Sequence, residues 1–395
     1  MMSAITSAKQ GNRVLLLEKL SKIGAKLKAT GGGRCKLTNT LSNEEFMNRF
    51  GKNGKFMSPA LEQLDHKALM AFFQNIGVQS HAPDGYRVFP ITHSSSTIID
   101  ALKNEMTHLD VEVLCASKVK SLLYEKEHII GVQTDAHKYY AQNVIIATGG
   151  KGYPMLGAEG DGFNMAEAIG HKITPLFPAM MPLKVKETWV QNCRADTIAK
   201  VTMFVNIKKY KKLHAKGDLI FTKNGIRGPV VLDFSREITP LLDKYDEVPI
   251  LANFTKGKNE EQIREHLKKA LSLKPHLNTL ELLLTLLPSS LIVELCKLSN
   301  IDPTQSLFKQ KGEFRDTLIR LLVWTPLTIN GHDGFKMAMI TRGGVTLKEI
   351  DPYAMQSKKL KGLYFCGEVM NIDGPCGGYN LQWSFASGYL AGKLL

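Results

Sequence analysis

The chain has no CxxC pair, no internal repeat, no low-complexity tract, and no unbroken apolar run approaching the roughly 20 residues that span a bilayer. Its six cysteines, Cys35, Cys115, Cys193, Cys296, Cys366 and Cys376, are scattered over 395 residues. That spacing argues against a zinc knuckle or a disulfide scaffold, so reduced thiols and no metal are expected. The first segment, MMSAITSAKQGNR, lacks both a cationic start and a long apolar stretch, so neither export nor a membrane role is expected and the cytoplasm is the expected location. Acidic residues are in deficit: 37 Asp and Glu face 51 Lys and Arg, for a formal net charge of +14. Such a surface attracts the phosphates of nucleic acid or acidic metabolites. The densest cluster is Lys208, Lys209, Lys211, Lys212, His214 and Lys216; runs like this are more often a solvated face than a nucleic-acid site, and RNA stays open as a partner.

What is present is ordinary globular material, 44% hydrophobic and 22% charged, long enough for two or three domains. Residues 1–10 read as a helix whose small residues Ser3, Ala4, Ser7 and Ala8 share one side, as where a helix lies close against a sheet. Residues 13–18 (RVLLLE) read as a parallel strand buried on both faces and ending in an acid. Residues 59–77 and 95–107 look helical. Residues 111–133 and 139–147 alternate like a small antiparallel sheet leading into the buried strand NVIIATGG. From 183 to 254, short strands such as TMFVNI and KGDLIFT suggest a mainly β region, and 259–322 switches to helical periodicity. The tail returns to strand, glycine loop and helix. Expected boundaries are a first lobe over 1–182, an insert over 183–335 (barrel 183–256 and 320–335, helical 257–319), and a return to the first lobe over 336–395.

Four features carry chemistry. In dinucleotide-binding units an acid at the end of the second strand meets a ribose hydroxyl about 20 residues after a glycine fingerprint. Glu18 fits that acid, and counting back puts the fingerprint at or before Met1. Alone, Glu18 is as easily a surface ion-pair partner. In ATGGGRCKLTNT (29–40), Gly31, Gly32 and Gly33 permit conformations closed to other residues, and Arg34 can reach a phosphate or carboxylate; Cys35 reads as a buried filler. VIIATGG (144–150), continuing to Gly157, Gly160, Asp161 and Gly162, suits a second close approach of backbone to a flat cofactor. The fourth is strand LYFCGE, loop VMNIDGPCGG and helix YNLQWSFASGYLAG, whose starting amides can face an anionic group such as a reduced isoalloxazine. There Gly374, Gly377 and Gly378 let the backbone approach the ring, with Glu368, Tyr379, Asn380 and Gln382 as polar handles.

At these residues the sequence resembles the bacterial NAD(P)/FAD-dependent oxidoreductase family related to YhiN, BaiN and aminoacetone-oxidase-like flavoproteins. RVLLLEK, TGGGRCKLTN, GYRVFP, VIIATGG with its GDG, GDLIFTKNGIRGP, MITRGGV and GEVMNIDGPCGGYNLQWSFASG carry the match. The resemblance implies an α/β fold: a Rossmann-like, glutathione-reductase-like FAD domain lacking its first strand, interrupted by a β-barrel and helical insert. It implies that Glu18, Lys26, Gly32, Gly33, Arg34, Cys35, Thr38, Asn39, Val119, Thr148, Gly149, Gly150, Asp161, Gly367, Glu368, Gly374, Gly377, Gly378, Tyr379, Asn380 and Leu381 surround the FAD. Lys36 stands where the family has Asn, and Ala158-Glu159 where it has Ser-Thr. Cys376 is a catalytic candidate by location, although packing is its commoner role.

The expected activity is hydride transfer between the flavin and a small organic substrate with a conjugated double bond or an amine. The flavin carries the chemistry. No second dinucleotide fingerprint is visible, so NAD(P)H would dock transiently as reductant. Two alternatives stand beside this: a flavin-dependent RNA base reductase of the dihydrouridine type, and an inactive fragment lacking its first strand and glycine loop.

Overall fold

Runs of β-branched and aromatic residues bounded by glycine give the short parallel strands Val144–Ile146 and Leu363–Phe365, which pair with Val144 opposite Leu363. A second parallel pair joins Leu15–Leu17 to Glu112–Leu114. The computed structural model describes all residues, Met1–Leu395, and divides into two units: Met1–Pro178 with Ala338–Leu395, and Ala179–Met337.

In the first unit a three-stranded antiparallel sheet, Val119–Glu125, His128–Thr134 and Lys138–Tyr140, follows the parallel strand Glu112–Leu114. A small sheet of Thr38–Asn39, Arg87–Pro90 and Ser80–His81 carries the glycine-rich stretch. The core gathers Phe73, Ile98, Phe365, Tyr379 and Trp383, so the final helix, Tyr379–Gly392, runs through it rather than over it.

Three details depart from expectation. RVLLLE is regular only over Leu15–Leu17, and those residues are half-buried, not buried on both faces. The strand pairs along one edge only, with Glu112–Leu114. The first helix, Met2–Ala8, approaches the final helix as well as the end of the sheet: a Cβ on Gly392 would stand 2.5 Å from the Ser3 carbonyl oxygen, while the Ser3 side chain hydrogen-bonds Cys366 just past strand Leu363–Phe365. Residues 59–77 form two helices, Ser58–Gln63 and His66–Asn75, because the Asp65 side chain accepts the Ala68 amide at 2.8 Å and starts a new one.

The second unit is a closed six-stranded barrel in the order Leu183–Val185, Gly225–Arg227, His214–Phe221, Thr197–Val205, Val248–Asn253, Thr325–His332. Closure leaves no strand edge unpaired. The β-strand reading of this stretch missed the 17-residue helix Pro229–Tyr245, which buries Val230, Phe234, Ile238 and Leu241. It lies so close to strand His214–Phe221 that a Cβ on Gly217 would stand 2.9 Å from the Val230 amide nitrogen. Helices Glu260–Leu273, Thr279–Leu283, Ser289–Leu298 and Gly312–Trp324 share the same core. No helix of the chain is long and apolar enough to cross a membrane.

Candidate functional site

The final helix starts at Gly378, in the left-handed region at φ +90°, with no side chain capping it and no acid in its first turn. Its first turn therefore presents the positive end of the macrodipole. Asn380 could have capped; instead its side chain accepts from the Gly374 amide at 2.8 Å and donates to the Gly374 carbonyl at 2.9 Å, bracing the preceding loop. Asn39 donates to the Gly377 carbonyl at 3.1 Å. The Tyr379 hydroxyl hydrogen-bonds that of Tyr86, and the Tyr379 ring packs on Phe46 at 5.0 Å between centroids. Cys376 Sγ lies 3.7 Å from Lys36 Nζ.

Glu368 is the next node. It accepts Lys26 Nζ at 2.8 Å with one oxygen and the Thr341 amide at 2.8 Å with the other. Thr341 Oγ1 in turn accepts the Lys151 amide at 2.7 Å. Gly150 sits against this cluster so tightly that a Cβ there would overlap both Thr341 Oγ1 and Glu368 Oε1. Lys26, Gly150 and Glu368, widely separated in sequence, therefore meet.

Around Glu18 a third group forms. Glu18 Oε1 accepts the amide of Leu20 at 2.9 Å, and the Glu18 carbonyl accepts the Ser117 amide at 2.9 Å, which brings the segment leading to Val119 alongside. Lys19 reaches Asp161 at 2.6 Å and Glu159 at 2.9 Å, and Lys118 reaches both carboxylates at 3.1 Å. The hydrogen bonds from Lys19 and then Lys118 hold the Glu159 carboxyl down to about 2.

The nominated glycines separate into two kinds. Gly150, Gly374 and Gly378 are glycine because protein atoms fill the space: Thr341 and Glu368, the Phe50 ring, and the Thr38 backbone respectively. Gly32, Gly33 and Gly149 adopt φ of +66°, +85° and +70° with nothing within 4 Å of where a Cβ would stand. These three present bare backbone to open space, as turn glycines such as Gly77 and Gly170 also do, so they leave room for a flat cofactor such as a flavin to approach the main chain. Arg34 and Thr148 are exposed, while Val119, Asp161 and Leu381 are half-buried. Cys35, Thr38 and Asn39 are wholly buried, and burial pushes the Cys35 thiol up to about 11, so it is inert filler. Gly367, at φ +75°, gives its amide to Ser387 Oγ at 2.9 Å.

Sequence reasoning assigned no role to Lys19, Tyr86 or Thr341, and noted Lys36 only as a departure from the family's Asn. Tyr86 and Thr341 lie inside GYRVFP and MITRGGV, so their motifs were visible although their roles were not. Glu159, treated as a local change of polarity, is a full member of the ion network.

A Rossmann-type α/β unit with a barrel and helical insert, and this glycine-lined helix start, define a class of flavin-dependent oxidoreductases. The HI0933-like protein Rossmann domain family matches residues 1–394, and the chain belongs to that family. It is 31% identical over 394 residues, 99% of this chain and 95% of the relative, to the 3-dehydro-bile acid delta(4,6)-reductase of Clostridium scindens. It is 28% identical over 386 residues, 97% of this chain and 92% of the relative, to the ribosomal RNA dihydrouridine synthase of Haemophilus influenzae. Among solved structures, the 3-ketosteroid delta1-dehydrogenase of Sterolibacterium denitrificans superposes with a TM-score of 0.51 at 12% identity, covering 99% of this chain and 96% of that one, a likeness of fold. By family and fold the chain is a flavin-dependent oxidoreductase.

Proposed function

We propose that this enzyme saturates a carbon–carbon double bond conjugated to a carbonyl in a small organic substrate, with NAD(P)H as the transient source of electrons. Two similar proteins of different substrate share that chemistry by name: a 3-dehydro-bile acid delta(4,6)-reductase removes unsaturation near a ketone, and a dihydrouridine synthase saturates a pyrimidine. A flavin, when bound, would supply the hydride equivalent, and the chain's own groups would have to supply the proton that completes the saturation. The observation that carries the reading is the final helix start at the left-handed Gly378, with no acid in its first turn, whose positive end stabilises negative charge gathered beside it. Gly32, Gly33 and Gly149 supply open backbone for the cofactor. The paired hydroxyls of Tyr86 and Tyr379, next to Gly377, hold a proton near the same helix start and are the proton donors we assign. Cys376, whose Sγ lies 3.7 Å from Lys36 Nζ in the loop before the same helix start, is the other candidate.

A second substrate class has one observation in its favour. The cluster Lys208, Lys209, Lys211, Lys212 and Lys216 is interleaved with aromatic rings, Tyr210 near Tyr245 at 6.2 Å and Phe204 stacked near His214 at 5.8 Å, an arrangement suited to RNA phosphates and bases.

The test is anaerobic: reduce the enzyme with NADPH or NADH, add a steroid enone or, separately, an RNA containing uridine, and follow reoxidation of the flavin with mass analysis of product. Reoxidation by an enone, with two hydrogens gained, is expected. Reoxidation by RNA alone, with binding that falls steeply as salt rises, would transfer the assignment to the RNA reading. A reduced enzyme that neither acceptor reoxidises would end both.

A further inference from the structure

At one end of the barrel, wholly within the second unit, lies a cavity of about 560 Å³ lined by Lys184, Arg194, Lys223, Arg227, Asp333 and the turn around Thr222. Four cations face one carboxylate, and that carboxylate is already held by Lys184 at 2.6 Å. Arg194, Lys223 and Arg227 make no ion pair; the acids nearest in sequence are engaged elsewhere. Asp196 accepts a hydrogen bond from the Ser290 hydroxyl, and Glu187 accepts the Thr328 amide at 2.9 Å.

The wall behind these cations is fixed. Thr222 gives its amide to the Gly225 carbonyl at 2.8 Å, Val185 to Asn224 at 3.2 Å, and Ala195 to Phe221 at 3.1 Å. Gly225 lies against the Leu183 carbonyl, where no Cβ fits. Ala195 is held at φ +74°, a conformation a residue with a Cβ enters only under constraint, and it sets the chain direction beside Arg194. The backbone here is satisfied and rigid while the cationic heads are not, the reverse of a surface where lysines pair casually with neighbouring acids.

We infer that this cavity is a phosphate-binding site. Two guanidinium groups offer planar forks that match phosphate oxygens two at a time, and two ammonium groups add charge without a fixed geometry. The volume exceeds what a lone phosphate needs and falls in the range of pockets for nucleotide-sized ligands. The phosphate can come from a free nucleoside diphosphate or from an RNA chain; the recognition chemistry is the same. Binding is read without turnover, so this site stands or falls apart from the reductase assignment.

The probe is inorganic pyrophosphate, titrated calorimetrically at low salt into the flavin-loaded full-length chain. Saturable binding is expected, weakened about tenfold or more by Arg194→Ala and by Arg227→Ala, as loss of a charge-assisted bidentate contact implies. The variant Lys268→Ala/Lys269→Ala, which lowers the net charge equally on helix Glu260–Leu273 outside the cavity lining, should bind as the parent does. Both arginines are exposed, so the variants should melt with the parent, and that melt separates lost binding from lost fold. Displacement of pyrophosphate by ADP identifies a nucleotide as the source, and displacement by a short RNA only identifies RNA; either upholds the site. No saturable heat, unchanged binding in the arginine variants, or an equal loss in the Lys268→Ala/Lys269→Ala variant would overturn it.

Discussion

Two groups of cations, one in each unit, face opposite situations. In the first unit Lys19 and Lys118 share Glu159 and Asp161, and Lys26 holds Glu368, so each lysine joins chain segments remote in sequence. In the barrel unit Arg194, Lys223 and Arg227 share a cavity and hold nothing. The glycines repeat the contrast inside the first unit: Gly150, Gly374 and Gly378 are pressed against protein, whereas Gly32, Gly33 and Gly149 face open space. Groups satisfied within the chain explain its fold, and groups left unsatisfied on a rigid wall point to what it binds. A motif residue can belong to either kind, and only its surroundings tell which.

The sharpest way to break that distinction is Gly378→Val. A side chain there must displace the Thr38 backbone from a left-handed position, so a loss of roughly 3 kcal/mol or more is expected by urea unfolding, with the flavin lost as well. A stable, coloured variant would show that the helix start is less tightly fixed than the contact implies.

Next in size is Lys26→Met. Lys26 and Glu368 are only 27% and 17% exposed, so the variant leaves a shielded carboxylate holding the Thr341 amide alone, at a cost of about 1–2 kcal/mol. Adding Glu368→Gln should recover part of it, which a double-mutant cycle reads directly.

Gly33→Ala sharpens the contrast from the other side. Its Cβ meets no protein atom, so stability should fall by only about 1 kcal/mol, the left-handed penalty, while flavin dissociates faster. Equal flavin retention would remove Gly33 from the cradle.

The smallest effect is one of pH. The Glu159 carboxyl is held at about 2 against an ordinary value of 4.5. Because the folded value is the lower, its contribution is fully present above pH 4.5 and fades as pH falls through about 2. Glu159→Gln should flatten that part of the stability profile; an unaltered profile would show the network to be idle.

Much of this architecture is legible in residues adjacent in sequence. Strand Val144–Ile146 and the final helix Tyr379–Gly392 announce themselves by apolar runs bounded by glycine, and the resemblance across the whole chain named the flavin unit and its barrel insert. The helix Pro229–Tyr245 was missed although Val230, Phe234, Ile238, Leu241 and Leu242 keep helical spacing, because the strands TMFVNI and KGDLIFT just before it carried a β reading on to Phe254. Pro229 occupies the first helical position, where it lacks no needed amide. Half-burial of Leu15–Leu17 was also beyond a hydrophobicity pattern, since burial depends on what the rest of the fold lays over each face. At the candidate site, local spacing nominated Glu368 and Gly150, but their meeting with Lys26 and Thr341 comes from tertiary folding. Barrel closure likewise assembles Lys184, Arg194, Arg227 and Asp333 from four separate stretches, which no motif joins.

The central claim, that glycine-lined backbone and the final helix start hold a flavin that delivers hydride, is tested most directly by one spectrum. The purified full-length chain, given FAD and freed of excess, should retain the visible absorption of a bound flavin, bleach with reductant and recover on adding an enone. A well-folded chain that stays colourless through this treatment would contradict it.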